Sequence, residues 1–281
     1  MSATHISLDE MPRYSRWPAI LLGKKPFSVR QRTRDEVLRE YDREKWGAVL
    51  TWLRAQSQVS MDDLLREQGV DPGRIIAYAR NNQFFTAPAR EVMVAYENLL
   101  LETLRPHATE TLVELGCGMG DKLLRMAELL KPKTVFGGEF TTSGVECGRL
   151  LAKLSGIKAR FEHFDYNNPA TLEAVPDHAM VFTSHSIEQI PDLPETFIAG
   201  LIHRAPRAVL HFEPDYGGHD ANSLIGLMQR RYAEMNDYNR NLWGLLKTFE
   251  AKGRIRILEH STDVFGINPF NSTSIFIWQP I

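Results

Sequence analysis

Apolar residues follow two alternating spacings over most of this chain. From residue 108 onward, short apolar runs alternate with segments in which apolar residues recur every three or four positions. The runs predict strands at 111–115, 133–138, 158–164, 179–183 and 207–213, and the segments predict helices at 121–130, 142–154 and 194–204. Strands separated by helices of this length form a parallel sheet covered on both faces. Two more strands, 254–260 and 274–278, follow without a helix between them.

The first hundred residues have a different pattern. Residues 1–30 contain three prolines and predict an irregular arm, and helical spacing then recurs at 33–55, 60–69, 74–80 and 88–104. The predicted organisation is an N-terminal arm and helical cap over 1–107 and a core over 108–281. Within the core, an insertion at 215–253 is predicted to form one long helix or two consecutive helices.

Three glycines at alternate positions separate the strand at 111–115 from the helix after it. Gly116, Gly118 and Gly120 have no side chain, so backbone amides can approach a ligand and the turn can adopt positive φ. Their spacing, G-x-G-x-G, differs from the G-x-G-x-x-G of dinucleotide-binding turns. Glu114, just before them, would repel a pyrophosphate but attract an ammonium group. The turn alone does not identify the ligand.

Carboxylates also stand at the ends of the next two predicted strands. Glu139 ends the second strand, where an acid accepts hydrogen bonds from both hydroxyls of a ribose. Asp165 ends the third strand and, beside Tyr166, can meet the amino group of an adenine. An amino acid, a ribose and an adenine together describe S-adenosylmethionine.

In these residues the chain resembles the class I S-adenosylmethionine-dependent methyltransferases, over about residues 108 to 281. The resemblance implies an α/β fold: a Rossmann-like seven-stranded sheet with an antiparallel last strand, here with a helical N-terminal extension and a helical insertion after the fifth strand. It implies S-adenosylmethionine as the cofactor. The cofactor-binding residues it implies are Glu114, Gly116, Cys117, Gly118, Gly120, Glu139, Asp165, Tyr166 and Ser184, among which Cys117 is also explained simply as a small residue that fits the turn.

Methyl transfer from a sulfonium is an in-line displacement, in which the protein chiefly aligns the reactants. A base helps if the nucleophile carries a proton. His185, after the fourth strand, is the best candidate because its pKa suits proton transfer near neutral pH, although a purely structural hydrogen-bonding role is the alternative. Glu213 and Asp215, at the end of the fifth strand, could orient an amine or hydroxyl. His211, within that strand, is interpreted as a buried histidine with satisfied hydrogen bonds.

Aromatic and amide side chains are the candidates for contacting the methyl acceptor. The arm either wraps the surface of the domain or acts as a flap that brings aromatic rings over the site. The N-terminal helices and the insertion are expected to form a lid. The candidate residues are Tyr14, Trp17, Tyr232, Tyr238, Asn239, Asn268 and Asn271.

Composition narrows the remaining choices. The 281 residues carry a formal net charge of −2, which favours neither nucleic acid nor an anionic membrane as a partner. Cys117 and Cys147, the two cysteines, cannot build a disulfide framework and indicate a reducing compartment, so a cytoplasmic location is expected. No apolar run is long enough to span a bilayer, and no His/Cys spacing predicts a zinc site. A homodimer is compatible with the sequence.

The acceptor is predicted to be a small molecule or a peptide side chain or terminus. Methylation of exocyclic amines is disfavoured, because Ser184-His185-Ser186 stands where the family's enzymes for that reaction carry an [N/D]-P-P-[Y/F] box. One alternative is an RNA methyltransferase that uses the basic stretch from Arg13 to Arg34 for phosphate contact. The other is a subunit that binds the cofactor without catalysis.

Overall fold

The computed structural model describes residues 3–281, and the strands within that range form one mixed sheet. Their order across the sheet is β1-β3-β2-β9-β10-β8-β7-β4-β5-β6. The bounds are β1 (Thr4–Ile6), β2 (Ile75–Arg80), β3 (Gln83–Pro88), β4 (Thr111–Leu115), β5 (Thr134–Glu139), β6 (Arg160–His163), β7 (Met180–Ser184), β8 (Ala208–Glu213), β9 (Ile255–Gly266) and β10 (Thr273–Pro280).

Strands β4 to β10 match the strands that the apolar runs predict. The five from β4 to β8 pair in parallel, and β10 pairs antiparallel with both β8 and β9. The predicted total of seven strands is wrong, because the N-terminal region adds three more beyond β9, giving a ten-stranded sheet. The N-terminal region is therefore part of the same sheet.

The helix predicted at 74–80 is also wrong, because these residues form β2. Asn81 and Asn82 both have positive φ, +49° and +58°, and turn the chain directly into β3. Two-residue turns of this kind match the twist of an antiparallel hairpin, and asparagine tolerates positive φ better than most residues. The hairpin joins the sheet where Ala79 pairs with Gly266 of β9.

The helices lie on both faces of this sheet. The predicted helix at 33–55 consists of α2, a π-helix at Leu38–Trp46, and α3, and the insertion forms two helices, α9 and α10. The bounds are α1 (Trp17–Leu21), α2 (Arg34–Val37), α3 (Gly47–Leu53), α4 (Met61–Glu67), α5 (Ala89–Leu104), α6 (Asp121–Leu130), α7 (Thr142–Ser155), α8 (Glu195–His203), α9 (Leu224–Asn236) and α10 (Leu242–Ala251).

Alternate residues of the central strands belong to two different cores. Leu112 of β4 packs in a cluster with Leu100 of α5 and Leu123 of α6, whereas its neighbour Val113 packs in a cluster with Phe197 of α8 and Leu246 of α10. Successive side chains of a strand point to opposite faces, so both faces are covered, as the apolar runs predict. Among residues 3–281, no helix has the length and apolarity needed to cross a bilayer.

Candidate functional site

The turn between β4 and α6 brings bare backbone to the carboxyl edge of the sheet. Gly116, Gly118 and Gly120 all have positive φ, at +71°, +57° and +81°. A Cβ added to Gly116 would lie 2.4 Å from Cβ of Ser186, and one on Gly118 would lie 2.9 Å from the Trp46 ring. Glycine is therefore required at both positions by conformation and by space.

Glu139, at the end of β5, is bonded to this turn. Its carboxylate accepts hydrogen bonds from the backbone N–H of Gly118 at 2.9 Å and from the N–H and Oγ1 of Thr141 at 2.9 and 2.7 Å. Burial raises the pKa of Glu139, and these hydrogen bonds oppose the shift because they favour the charged form. The turn and the carboxylate thus have fixed positions relative to each other.

A cavity of about 810 Å³ opens at this edge, within the range of sites that bind small molecules. Strand ends supply one side of its wall and N-terminal helices supply the other. The sequence-predicted residues that line it are Gly116, Cys117, Gly118, Glu139, Asp165, Tyr166, Ser184, His185, Asn268 and Asn271.

Two predicted cofactor residues lie outside the cavity lining. Gly120 is the N-cap of α6 and faces Phe161, and Glu114 is fully buried behind the turn. Burial raises the pKa of Glu114 to about 8, and the nearby Lys122 opposes the shift. Neither carboxyl oxygen of Glu114 has a hydrogen-bond partner in the described part of the chain. Glu114 therefore lies behind the turn and does not line the cavity, and its predicted contact with an ammonium group stays a prediction.

The predicted acceptor residues in the arm and the insertion also lie elsewhere. Trp17 packs edge-on against Tyr232 at 4.4 Å, and Tyr232 packs against Tyr238 at 5.9 Å. Asn239 donates to the carbonyl of Ile190 at 2.7 Å. Trp17 and Tyr232 thus join the arm to α9, Asn239 joins the segment after α9 to the loop after β7, and Tyr14 lies on the surface of the arm.

The arm therefore wraps the surface, and its aromatic rings do not cover the cavity. No residue of 215–253 belongs to the lining of this cavity. The expectation that the insertion covers the site is corrected, because α9 packs on the arm and α10 packs beside β9.

Glu213 and Asp215 are engaged away from the cavity. The Glu213 carboxylate accepts the backbone N–H groups of Ser186 at 3.0 Å, Ile187 at 3.2 Å and Glu188 at 3.3 Å. Asp215 is bonded to Nε2 of His260 at 2.8 Å. Both carboxylates hold the backbone or a neighbouring ring in place and neither lines the cavity, so their predicted contact with the acceptor stays a prediction.

His185 lines the cavity with both ring nitrogens engaged. Nδ1 lies 2.9 Å from Oε2 of Glu188, and Nε2 lies 2.7 Å from Oγ1 of Thr273. Asn271 also donates to Oε2 of Glu188, at 2.9 Å. Burial disfavours the charged ring, but the Glu188 carboxylate outweighs it, and the pKa of His185 is raised.

His211 is buried within β8 and has satisfied hydrogen bonds, as interpreted from the sequence. Trp278 donates its Nε1–H to Nε2 of His211 at 3.0 Å, and Oγ1 of Thr183 lies 3.1 Å from Nδ1. Burial lowers the pKa of His211 to about 3, so the ring is neutral.

Several cavity residues were missed by the sequence analysis because they come from the N-terminal region. Tyr41, Trp46 and Met93 supply apolar surface to the wall. The Lys45 ammonium lies 4.5 Å from the Trp46 ring and 5.1 Å from the Tyr41 ring. The apolar spacing of Tyr41 and Trp46 indicates a buried helix face, and nothing local in the sequence shows that this face meets the glycine turn.

Solved structures share this arrangement of strands and helices. The magnesium protoporphyrin IX methyltransferase of Synechocystis PCC 6803, with SAH bound, matches with a TM-score of 0.53 at 10% identity, over 87% of this chain and 99% of that one. A protein assigned as a sarcosine dimethylglycine methyltransferase of Galdieria sulphuraria matches with a TM-score of 0.50 at 10% identity, over 68% and 87%. The fold is that of the class I S-adenosylmethionine-dependent methyltransferases.

Comparison of the sequence alone identifies no relative. No protein-family model matches the chain, and no curated protein sequence matches it significantly.

Proposed function

We propose that this protein transfers a methyl group from S-adenosylmethionine to a small molecule or to a peptide side chain or terminus. One observation carries the proposal: the glycine turn after β4, Glu139 after β5 and Asp165 after β6 all reach the same cavity. In open α/β sheets, ligands bind in the crevice at the carboxyl ends of the strands. The fold of known methyltransferases supports the same assignment.

The cofactor half of the cavity fits each part of S-adenosylmethionine. Glu139 is the acceptor for the ribose hydroxyls, and Oδ2 of Asp165 beside the Phe140 ring suits an adenine amino group. Gly116 and Gly118 present bare backbone where the amino-acid end would bind, and Ser186 and Trp46 fill the space that their side chains would take. When bound, the cofactor supplies a methyl group already activated on a sulfonium sulfur.

The acceptor half is lined by Tyr41, Trp46, Met93 and Tyr96, with Asn268 and Asn271 as polar groups. A mostly apolar wall with a few convergent polar groups is typical of small-molecule sites. A wall of this kind can align an acceptor for methyl transfer. It therefore supports a small acceptor or a short peptide segment.

The basic stretch from Arg13 to Arg34 gives little support to the alternative of an RNA methyltransferase. Arg30 and Arg32 both pair with Glu40, at 3.0 and 2.6 Å, and Arg34 pairs with Asp165. These guanidinium groups already have carboxylate partners within the chain. A phosphate backbone would have to displace those partners before it gained the contact.

His185 is the proposed base for an acceptor that carries a proton. Glu188 fixes the ring through Nδ1, so Nε2 is the nitrogen that can receive the proton once the acceptor has replaced Thr273 as its partner. The raised pKa of His185 supports this role at neutral pH, because Glu188 stabilises the imidazolium that forms.

Calorimetric titration with S-adenosylhomocysteine tests the cofactor assignment, with ATP as the control nucleotide. We expect binding of S-adenosylhomocysteine but not of ATP, and a loss of about tenfold or more in Glu139→Gln because hydrogen bonds to a charged acceptor are lost. Glu162→Gln, at a half-exposed position of β6 outside the cavity lining, is the matched control and should bind like the wild type. No binding of S-adenosylhomocysteine, or equal binding by Glu139→Gln, contradicts the proposal.

A further inference from the structure

A charged side chain from the N-terminal region fills the end of the cavity near β6. The guanidinium carbon of Arg34 lies 4.6 Å from the centre of the Phe140 ring, and the guanidinium pairs with Oδ2 of Asp165. The other carboxylate oxygen, Oδ1, accepts the backbone N–H of Asn167 at 2.9 Å. The Arg34 guanidinium therefore occupies both groups that could bind an adenine at this end of the cavity. These groups are the face of the Phe140 ring and Oδ2 of Asp165.

An adenine cannot enter while Arg34 remains in this position. A flat base inserted between the Phe140 ring and the guanidinium would need two van der Waals gaps, about 7 Å in total. The separation of 4.6 Å leaves room for none. The guanidinium instead resembles an adenine in its own contacts, since both are planar, both stack on a ring and both donate N–H groups to a carboxylate.

We propose that Arg34 occupies the adenine subsite in the free protein and must leave it before the cofactor binds, so that Arg34 sets the cofactor affinity. This inference rests on the proposed function, because it places the adenine against Phe140 and Asp165. Only molecules in which Arg34 has left the subsite can bind the cofactor. The apparent affinity is therefore reduced in proportion to the fraction of such molecules. Arg34 is thus a specificity-determining competitor built into the chain.

The local structure allows Arg34 to exchange its place with a ligand. Its side chain is 58% exposed, whereas that of Asp165 is 6% exposed. It is the first residue of α2, directly after the N-cap Thr33. Moving the guanidinium into water uncovers the Phe140 ring face and leaves Oδ2 of Asp165 without its cation, and a bound adenine would restore both contacts. The two events are therefore an exchange of partners.

Titration of Arg34→Ala and Arg34→Gln with S-adenosylhomocysteine and with adenosine tests the proposal. Both variants should bind both ligands about two- to fivefold more tightly than the wild type, the range expected when a half-exposed ion pair is removed. Arg39→Ala is the matched control. Arg39 is in the same segment, its side chain is 61% exposed, and it pairs with Glu36 on the surface.

Salt separates this competition from other effects of the substitution. Adenosine is uncharged, so any salt dependence of its affinity comes from the protein. We expect salt to tighten adenosine binding to the wild type, by screening the pair of Arg34 with Asp165, and to leave Arg34→Ala unchanged. Weaker or equal binding by both variants overturns the inference, since Arg34 would then hold the adenine or lie apart from it.

The two proposals fail differently. If neither the wild type nor Arg34→Ala binds S-adenosylhomocysteine, the proposed function is wrong. If the wild type binds it and the variants bind no more tightly, the function stands and the role of Arg34 is wrong. Thermal unfolding of each variant checks that it is folded. We expect both Arg34 variants to fold, because the Arg34 side chain is mostly exposed.

Discussion

Gly118 donates its backbone N–H to Oε2 of Glu139 at 2.9 Å, so the turn after β4 and the carboxylate after β5 form one unit. Thr141 fixes the second oxygen of that carboxylate. Both ends of the proposed ribose and amino-acid subsites are thus held in position in the free protein. Groups held in this way lose little conformational freedom when a ligand binds, which favours affinity.

The glycine turn gives a test in which a second glycine serves as the control. Gly116 and Gly156 have nearly the same φ, +71° and +70°, but an added Cβ meets Ser186 at 2.4 Å in the first case and nothing within 4 Å in the second. Gly156→Ala should lose about 1–2 kcal/mol of stability from backbone strain alone and still bind S-adenosylhomocysteine. Gly116→Ala should lose more stability and most of its binding. Chemical unfolding and calorimetry measure both, and equal behaviour of the two variants contradicts the crowding argument.

The pair of His185 with Glu188 predicts a pH response. The pKa of His185 should lie above its usual value of 6.5 and fall in Glu188→Gln, because the nearby negative charge is removed. NMR titration of the imidazole signals measures this without an acceptor. If His185 is also the base, the acid side of the turnover–pH profile should move with the same pKa.

His185→Ala separates a base from a structural histidine. Turnover of a protonated acceptor should then fall by about 100-fold or more, while the affinity for S-adenosylhomocysteine stays within about twofold. A variant with normal turnover would assign His185 a structural role, through its contacts with Glu188 and Thr273.

Glu114 predicts a fall in stability as the pH rises. The folded protein keeps the proton on this carboxyl up to about pH 8, whereas the unfolded chain loses it near 4.5. The proton on Glu114 therefore stabilises the folded state fully below pH 4.5, and this stabilisation is lost as the pH rises to about 8. Over that range the group lowers the free energy of unfolding by about 1.4 kcal/mol per pH unit.

Urea unfolding between pH 4.5 and 8 compares the wild type with Glu114→Gln. The variant should show a shallower fall, since glutamine has no proton to lose and only the contribution of Glu114 is removed. Glu110→Gln, at an exposed position just before β4, should keep it. A wild type whose free energy of unfolding is level across the window would show that Glu114 is ionised in the folded protein.

Local signals in the sequence were sufficient for seven of the ten strands and for placing the glycine turn and two carboxylates at one edge of the sheet. Apolar runs mark β4 to β10, and the glycine turn, Glu139 and Asp165 follow directly from where strands end. These features depend on residues close together in the chain. The helix predicted at 74–80 is wrong because apolar spacing over so few residues cannot separate helix from strand, while the Asn81-Asn82 turn was the local sign of a hairpin.

Contacts between distant segments were not predictable in the same way. Glu213 ends a strand just as Glu139 does, yet it binds the backbone of residues 186–188 rather than the cavity. Trp46 and Arg34 reach the site only because the π-helix and α2 pack across the glycine turn and the end of β6. Nothing in their local sequence distinguishes such residues from an ordinary core or surface position.

A crystal structure of the protein with S-adenosylhomocysteine tests the central claim most directly. The account predicts ribose hydroxyls on Glu139, the adenine on Phe140 with its amino group at Asp165, and Arg34 displaced toward solvent. Ligand density elsewhere, or a bound nucleoside that contacts neither Glu139 nor Asp165, would contradict it.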